Sequence, residues 1–316
     1  MQASLFYKAQ VWFRGSKTER HGNVMKNFQK GFKKHFNAYL FISPFFILFL
    51  VFQLFPMIWS LVLSFTEWNG LGPKEFVGVQ NYVMLAKDPT FWTTVQNTFL
   101  YWLVAIVFVL FFAMMVALLL SYKPLRARGF FKSMTFFPYV CATVAVGLIF
   151  NMLFDFNAGL INEILRMMGL EGVAWLTSTS LSKIPPMILY VWRNTPWYTI
   201  IIMSGILNIP ADYYEAATVD GANVFQKFFK ITLPCLGDIL FFCFLTLTVE
   251  SWKIFAEPYV MVGPGSSNMS MFQYMYQNSF VIFKMGYASA IGYILTMILL
   301  VFSLIQFFIM RRNGEA

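Results

Sequence analysis

Long uncharged stretches are the feature that most limits how this chain can fold. Five segments contain no Asp, Glu, Lys or Arg: Phe36–Thr66, Phe91–Tyr122, Ser133–Phe154, Asn194–Ala211 and Gly286–Met310. A helix needs about 20 apolar residues to cross a bilayer. With 59% hydrophobic and only 12% charged residues, the chain has about half the charge of an average soluble domain. The sequence therefore predicts an integral membrane protein and excludes collagen, a disordered chain and a disulfide scaffold.

Six membrane-spanning helices account for these stretches. We predict them at about 38–66, 93–121, 133–154, 184–208, 233–255 and 286–310. The fourth span then contains Arg193, and the fifth contains Asp238 and Glu250. The fifth is still acceptable because its centre, Ile239–Val249, is apolar or weakly polar.

The positions of Lys and Arg predict the orientation, since cytoplasmic loops carry an excess of both. Cytoplasmic termini give the inside sixteen basic residues and the outside six. Eight of the sixteen lie in a leader, residues 1–37, which is typical of an interfacial helix on anionic lipid. We expect the N-terminus and the C-terminus to be cytoplasmic. The net charge of +9 is thus a topology signal and does not indicate nucleic-acid binding, which needs a basic, aromatic soluble face.

No residues have the spacing of a catalytic or metal site. Cys141, Cys235 and Cys243 stand in apolar surroundings and predict packed side chains instead of a disulfide framework or zinc site. The sequence contains neither the G-x-x-x-x-G-K-[ST] phosphate loop nor H-E-x-x-H. We therefore expect no enzyme activity and no cofactor in this chain.

The cytoplasmic segment between the fourth and fifth spans has helix start and stop signals. Pro210 suits the first turn of a helix, with acidic Glu215 near its positive end. Gly221 fits the left-handed residue that ends a helix. A second short helix, Ala222–Phe229, returns to the membrane, and Pro234 opens the next span. We expect a helix–turn–helix elbow whose small residues let another protein approach closely.

This segment resembles the EAA loop of ABC importer permeases, in the variant of the maltose, lactose and glycerol-phosphate systems. The resemblance rests on Glu215-Ala216-Ala217, Asp220-Gly221-Ala222 and Ile231-Thr232-Leu233-Pro234. It extends over about residues 38–310. One departure is Met261–Ser267, where such permeases often have a Thr-x-Gly-Gly-Pro turn, so contacts of this outer loop with a binding protein transfer only loosely.

The resemblance implies an all-α type I ABC importer permease with six transmembrane helices over residues 38–312. The elbow over 209–230 would be a coupling helix seated in an ATPase subunit. The implied coupling residues are Glu215, Ala216, Ala217, Asp220, Gly221, Ala222, Leu233 and Pro234. Two ATPase subunits would bind ATP and Mg²⁺. A second permease, which in many such systems is a different chain, would complete the pore. An extracytoplasmic solute-binding protein would deliver a carbohydrate.

Two helix faces are candidates for the solute path, because ionisable residues at membrane depth are usually functional. On the fourth span Tyr190, Arg193, Asn194 and Trp197 share a face at helical spacing, with aromatic rings and an amide suited to sugar. On the fifth span the corresponding group is Leu247, Ser251 and Ile254, with Glu250 beside them. The resemblance aligns both groups with the sugar pocket of maltose-type permeases.

Several alternatives stay open at this point. Arg193 either pairs with Glu250, extends to the interface or binds solute, and in the last case a uronate or phosphorylated polyol is a possible substrate. Trp197 also suits an interfacial anchor. The rival functions are an ion-coupled secondary sugar transporter, for which Glu250 is the one mid-membrane carboxylate candidate, and a membrane enzyme, for which no nucleophile is found.

Overall fold

The computed structural model describes residues 36–121 and 127–314, and the chain divides into two units, residues 1–60 and 61–316. Almost all of the predicted interfacial leader lies outside the described residues. The described part of the first unit is helix α1 (Phe36–Phe49), a π-helical turn (Leu50–Leu54) and the start of α2 (Phe55–Ser64). The second unit holds the remaining elements.

The second unit is a succession of helices with short connections. Its helices are α3 (Gln80–Lys87), α4 (Pro89–Val104), α5 (Leu110–Ser121), α6 (Arg128–Val140), α7 (Thr143–Leu153), α8 (Leu160–Met167), α9 (Ile184–Asn208), α10 (Ala211–Val219), α11 (Val224–Lys227), α12 (Leu233–Cys235), α13 (Gly237–Trp252), α14 (Ala256–Val260), α15 (Met271–Tyr276) and α16 (Met285–Gly314). Further π-helical turns occupy Ala105–Val109, Phe228–Thr232 and Gln277–Val281.

One small sheet interrupts the helical architecture. Strands β1 (Thr66–Glu67) and β2 (Glu75–Phe76) pair antiparallel, with Thr66 opposite Phe76. Between them Gly70 and Gly72 have φ angles of +93° and +73°, a region that glycine adopts without steric cost. The sheet is the only strand structure among the described residues.

Four described helices are long and apolar enough to cross a membrane: Tyr39–Ser64, Pro89–Ser121, Gly237–Val260 and Met285–Ile309. Helices α6 and α7 make a fifth span if counted as one, but they meet at 89°. The continuous third span predicted from sequence is therefore wrong. Pro138 lies inside α6, where its ring disfavours continued helix, and extended backbone at Cys141 and Ala142 turns the chain.

The predicted fourth span forms α9 with the predicted bounds, Ile184–Asn208. It falls outside the strongly apolar set because polar residues occupy its centre. The predicted fifth span is divided into α12 and α13 at Leu236, whose backbone leaves the helical region (ψ 2°).

The main core forms along α4 and α5, where every fourth residue is buried. Ala105, Ala113 and Ala117 are fully inaccessible and belong to one cluster with Ile202 of α9 and Leu247 of α13. Small residues let helix backbones approach closely, which is the usual packing device where lipid provides no hydrophobic drive. This core holds α9 and α13 in place and so positions both predicted solute-facing groups.

Candidate functional site

The first arm of the elbow is α10, and its C-terminus has the predicted geometry. Gly221 adopts the left-handed conformation with φ +75°. The amide of Ala222 donates to the carbonyl of Ala217 (2.8 Å), and that of Gly221 donates to Thr218 (3.1 Å). These two bonds satisfy carbonyls at the helix end in a Schellman motif. The sharp turn predicted at Gly221 is confirmed.

The second arm is shorter than the predicted helix Ala222–Phe229. Asn223 caps α11: its side chain accepts a hydrogen bond from the amide of Gln226 (2.9 Å), and the Gln226 side chain accepts one from the amide of Asn223 (2.8 Å). This reciprocal capping box places the helix start at Val224. After Lys227 the chain widens into a π-helical turn that leads to α12.

Two side-chain hydrogen bonds connect the arms. The hydroxyls of Tyr214 and Thr232 lie 2.9 Å apart, and Thr232 is buried at the base of the fifth span. The ammonium of Lys227 donates to the Thr218 hydroxyl (2.7 Å). The elbow is therefore connected to the base of the fifth span both through the continuous backbone and through the side-chain hydrogen bond between Tyr214 and Thr232.

The outer surface of the elbow exposes apolar side chains. Val219, Val224 and Phe225 are 89%, 79% and 76% exposed, and no residue of α10 is buried. The predicted coupling residues Glu215 and Gly221 lie on the exposed segment. Contiguous exposed apolar groups mark interaction surfaces. Among the described residues, none packs over these apolar side chains of the elbow, so they are accessible to another protein.

On α9 the predicted solute-facing residues differ in their accessibility. Tyr190 is buried, and its carbonyl accepts a hydrogen bond from the side-chain amide of Asn194 (2.8 Å). Trp197 is 44% exposed and stacks on Tyr139 of α6, with ring centroids 5.3 Å apart and planes 18° apart. The Arg193 guanidinium lies 5.9 Å from the Tyr139 ring centroid. Arg193, Tyr139 and Trp197 together form what we call the aromatic–guanidinium wall.

The pairing of Arg193 with Glu250 considered from sequence is wrong. Arg193 Nη1 lies 3.9 Å from Glu257 Oε1, on α14, whereas Glu250 pairs with Lys253 three residues away at 2.8 Å. Glu250 and Lys253 are neighbours on one helix turn, so each finds its partner locally. Glu257 is buried and Arg193 is more accessible, with side chains 5% and 25% exposed.

The predicted fifth-span group lies inside the packed core. Leu247 and Ser251 are fully buried and Ile254 is 3% exposed. The Ser251 hydroxyl donates to the carbonyl of Thr248 (3.1 Å). The predicted solute-facing residues thus fall into two groups. The accessible ones are Arg193, Asn194, Trp197 and Glu250, and the buried ones are Tyr190, Leu247, Ser251 and Ile254.

Sequence reasoning missed Tyr139 and Glu257. Tyr139 lies next to Pro138 at the end of α6, and Glu257 lies two residues beyond the predicted end of the fifth span at residue 255. An aromatic residue after a proline inside a span, and a lone carboxylate at a span end, were the available signals. Near them the Tyr190 hydroxyl and Arg193 Nε are buried without a hydrogen-bond partner, and such groups call for a specific explanation.

On the predicted outer side, Asp88 connects three distant segments. It caps α4 by accepting from the amide of Thr90 (2.8 Å), and its carboxylate accepts from the hydroxyls of Tyr274 and Tyr287. Burial favours the neutral acid, but these hydrogen bonds outweigh it and hold the pKa of Asp88 below its ordinary value. Asp88 therefore stays ionised and fixes the outer loops to the start of α16.

The described residues contain no cluster of three or more potential metal ligands. The three cysteines are free. The described residues form a multi-helix membrane protein with an exposed elbow and a wall of aromatic rings and a guanidinium. This combination is typical of a solute-transport subunit.

Comparison with known proteins identifies the family. Residues 110–314 match the model described as "Binding-protein-dependent transport system inner membrane component", and the chain belongs to this family. It is 33% identical over 279 residues to the arabinooligosaccharides transport system permease protein AraP of Bacillus subtilis, covering 87% of this chain and 88% of AraP. It is 32% identical to the lactose transport system permease protein LacF of Rhizobium radiobacter, covering 88% and 95%.

A solved structure has the same fold. A bacterial alginate ABC transporter, crystallised with an alginate pentasaccharide-bound periplasmic protein, matches with a TM-score of 0.78 at 21% identity, over 91% of this chain and 98% of that one. The predicted type I permease fold and the predicted family are confirmed. The chain is a multi-pass inner-membrane permease subunit of a binding-protein-dependent ABC importer, a transport component and not an enzyme.

Proposed function

We propose that this permease moves a carbohydrate, an oligosaccharide or disaccharide, into the cytoplasm by alternating access. The observation that carries the proposal is the aromatic–guanidinium wall. An exposed indole offers a flat apolar face, and a guanidinium offers several hydrogen-bond donors. A sugar ring presents matching apolar faces and hydroxyl acceptors. The names of its relatives agree, since they include permeases for arabinooligosaccharides, lactose and diacetylchitobiose.

Coupling to ATP hydrolysis would occur at the elbow. Exposed Val219, Val224 and Phe225 are suited to a groove in an ATPase subunit, with Glu215 and Gly221 at the centre of the contact. Two such subunits would bind ATP and Mg²⁺, because the sequence of this chain has no phosphate loop. Closure of the ATPase pair would move the elbow, and the bond between Tyr214 and Thr232 would carry that movement into the fifth span.

A complete importer would need two further kinds of subunit beside this permease and the ATPases. A second permease subunit, a different chain in the heterodimeric arrangement, would face this one across the solute path. A solute-binding protein would deliver carbohydrate to the extracytoplasmic loops. The excess of Lys and Arg in the leader and inner loops supports cytoplasmic N- and C-termini.

Carbohydrate uptake by the complete complex in proteoliposomes tests the solute assignment. Trp197→Ala should lower uptake about fivefold or more, because an aromatic contact is worth about 1 kcal/mol or more. Trp192→Ala is the matched control: Trp192 lies on another face of α9, is similarly exposed (39%), and should retain uptake. Equal uptake by Trp197→Ala and the parent complex would remove the wall from the solute path.

The coupling assignment has a separate test. A cysteine introduced by Ala217→Cys should crosslink to an ATPase subunit carrying cysteines along its groove, and uptake should require ATP. Absence of any such crosslink, or uptake driven by an ion gradient without ATP, would contradict the proposed coupling and favour secondary transport.

A further inference from the structure

The charges around the aromatic–guanidinium wall are balanced in pairs. Arg193 is 3.9 Å from Glu257, and Lys253 is 2.8 Å from Glu250. Each pair joins one acidic and one basic side chain, so its formal charge is zero, and the wall presents no uncompensated cation.

The two pairs differ in which member is accessible. Glu257 has 5% of its side chain exposed and Arg193 has 25%, so the guanidinium is the more accessible member of this pair. At 3.9 Å this contact is longer than a hydrogen bond, and the guanidinium keeps donors free. Arg193 can thus donate to a solute, while the field of Glu257 offsets its positive charge.

This arrangement discriminates between classes of glycan. The hydroxyls of a neutral sugar accept hydrogen bonds from the guanidinium without bringing charge into the site. A uronate brings a carboxylate close to buried Glu257, where repulsion between like charges is weakly screened. The stacked rings of Tyr139 and Trp197 bind either kind of sugar ring, so they contribute to affinity but not to this discrimination.

We infer that the solute is a neutral oligosaccharide, and that Glu257 is the residue that excludes acidic glycans by compensating Arg193. In this arrangement Tyr139 and Trp197 hold the ring and Arg193 binds its hydroxyls. The inference rests on the proposed carbohydrate function and deepens it by naming the charge class of the substrate.

Equilibrium dialysis on the complete transporter in nanodiscs, without the binding protein, isolates the selectivity of the permease itself. The probes are a labelled neutral arabinotriose and a labelled trigalacturonate of equal length. The parent complex should bind the neutral probe at least about tenfold more tightly. Glu257→Gln should reduce this preference by about tenfold or more, since one charge at this distance shifts an ionic equilibrium by that factor. Glu163→Gln, which alters the exposed pair of Glu163 with Arg166 outside the wall, should leave the preference unchanged.

The outcomes of this binding experiment separate the charge selectivity of the site from the carbohydrate assignment. A parent complex that prefers the uronate, or a Glu257→Gln complex with an unchanged preference, overturns the inference while carbohydrate binding stands. Should Glu257→Gln fail to assemble, the double variant Arg193→Gln/Glu257→Gln removes both charges at once and should keep the neutral preference; a reversal to the uronate would contradict the inference. If the parent complex binds neither glycan, the carbohydrate assignment itself fails.

Discussion

The hydrogen bond between Tyr214 and Thr232 gives a quantitative prediction about energy coupling. Tyr214→Phe keeps the ring and removes only the hydroxyl that lies 2.9 Å from Thr232 Oγ1. Such a bond contributes about 1 kcal/mol net. The population in which α10 is fixed to the base of the fifth span should fall about fivefold relative to the loosened form. Thr232 retains only a long contact, 3.4 Å, to the Lys227 carbonyl, which offsets little of this loss.

The expected phenotype is loss of coupling with ATPase activity retained. In proteoliposomes, solute transported per ATP hydrolysed should fall severalfold for Tyr214→Phe. Tyr213→Phe is the matched control, because Tyr213 is the adjacent tyrosine and its side chain is exposed; its ratio should equal that of the parent. An unchanged ratio for Tyr214→Phe, in a complex that assembles normally, would show that this bond does not transmit movement.

Two further predictions concern the outer segments. Asp88→Asn should lower Tm by about 5 °C at neutral pH. The difference should close as pH falls below about 4, because a depressed pKa gives stability that is present above the unfolded value and lost on protonation; a difference independent of pH would contradict the role of the carboxylate. Gly286→Ala should cost about 3 kcal/mol, since a Cβ there would lie 1.8 Å from the backbone oxygen of Thr66. Gly129→Ala, with nothing within 4 Å, should retain the parental Tm, and equal thermal scans for both would refute the clash.

Features set by local chemistry were predictable from the sequence. Helix α9 begins and ends where the fourth span was predicted, because prolines open it and Pro210 favours the extended backbone seen at Ile209, where the helix ends. The left-handed turn at Gly221 was predictable because few other residues adopt that conformation without strain. The two-residue strands were not, because they depend on pairing between Thr66–Glu67 and Glu75–Phe76 across a turn.

Features set by tertiary packing were not predictable. Arg193 faces Glu257 because α14 folds back against α9, a path that helical periodicity does not encode. The sequence offered Glu250 as the nearer candidate along the fifth span, yet Lys253 satisfies it within one turn. Burial of Leu247 and Ser251 likewise depends on which face of α13 packs against α9. Helical periodicity groups residues on one face of a helix but does not show which neighbouring helix packs on that face.

The right-angled corner at Cys141 and Ala142 has a consequence for hydration. A helix that stops inside a bilayer leaves its last carbonyl groups without partners, and hydrocarbon offers no donors to replace them. Lipid tails therefore cannot surround this corner; water or a neighbouring polypeptide has to meet it. Tyr139 stands beside the corner, so the proposed aromatic–guanidinium wall begins at a point of the third span that lipid alone cannot cover.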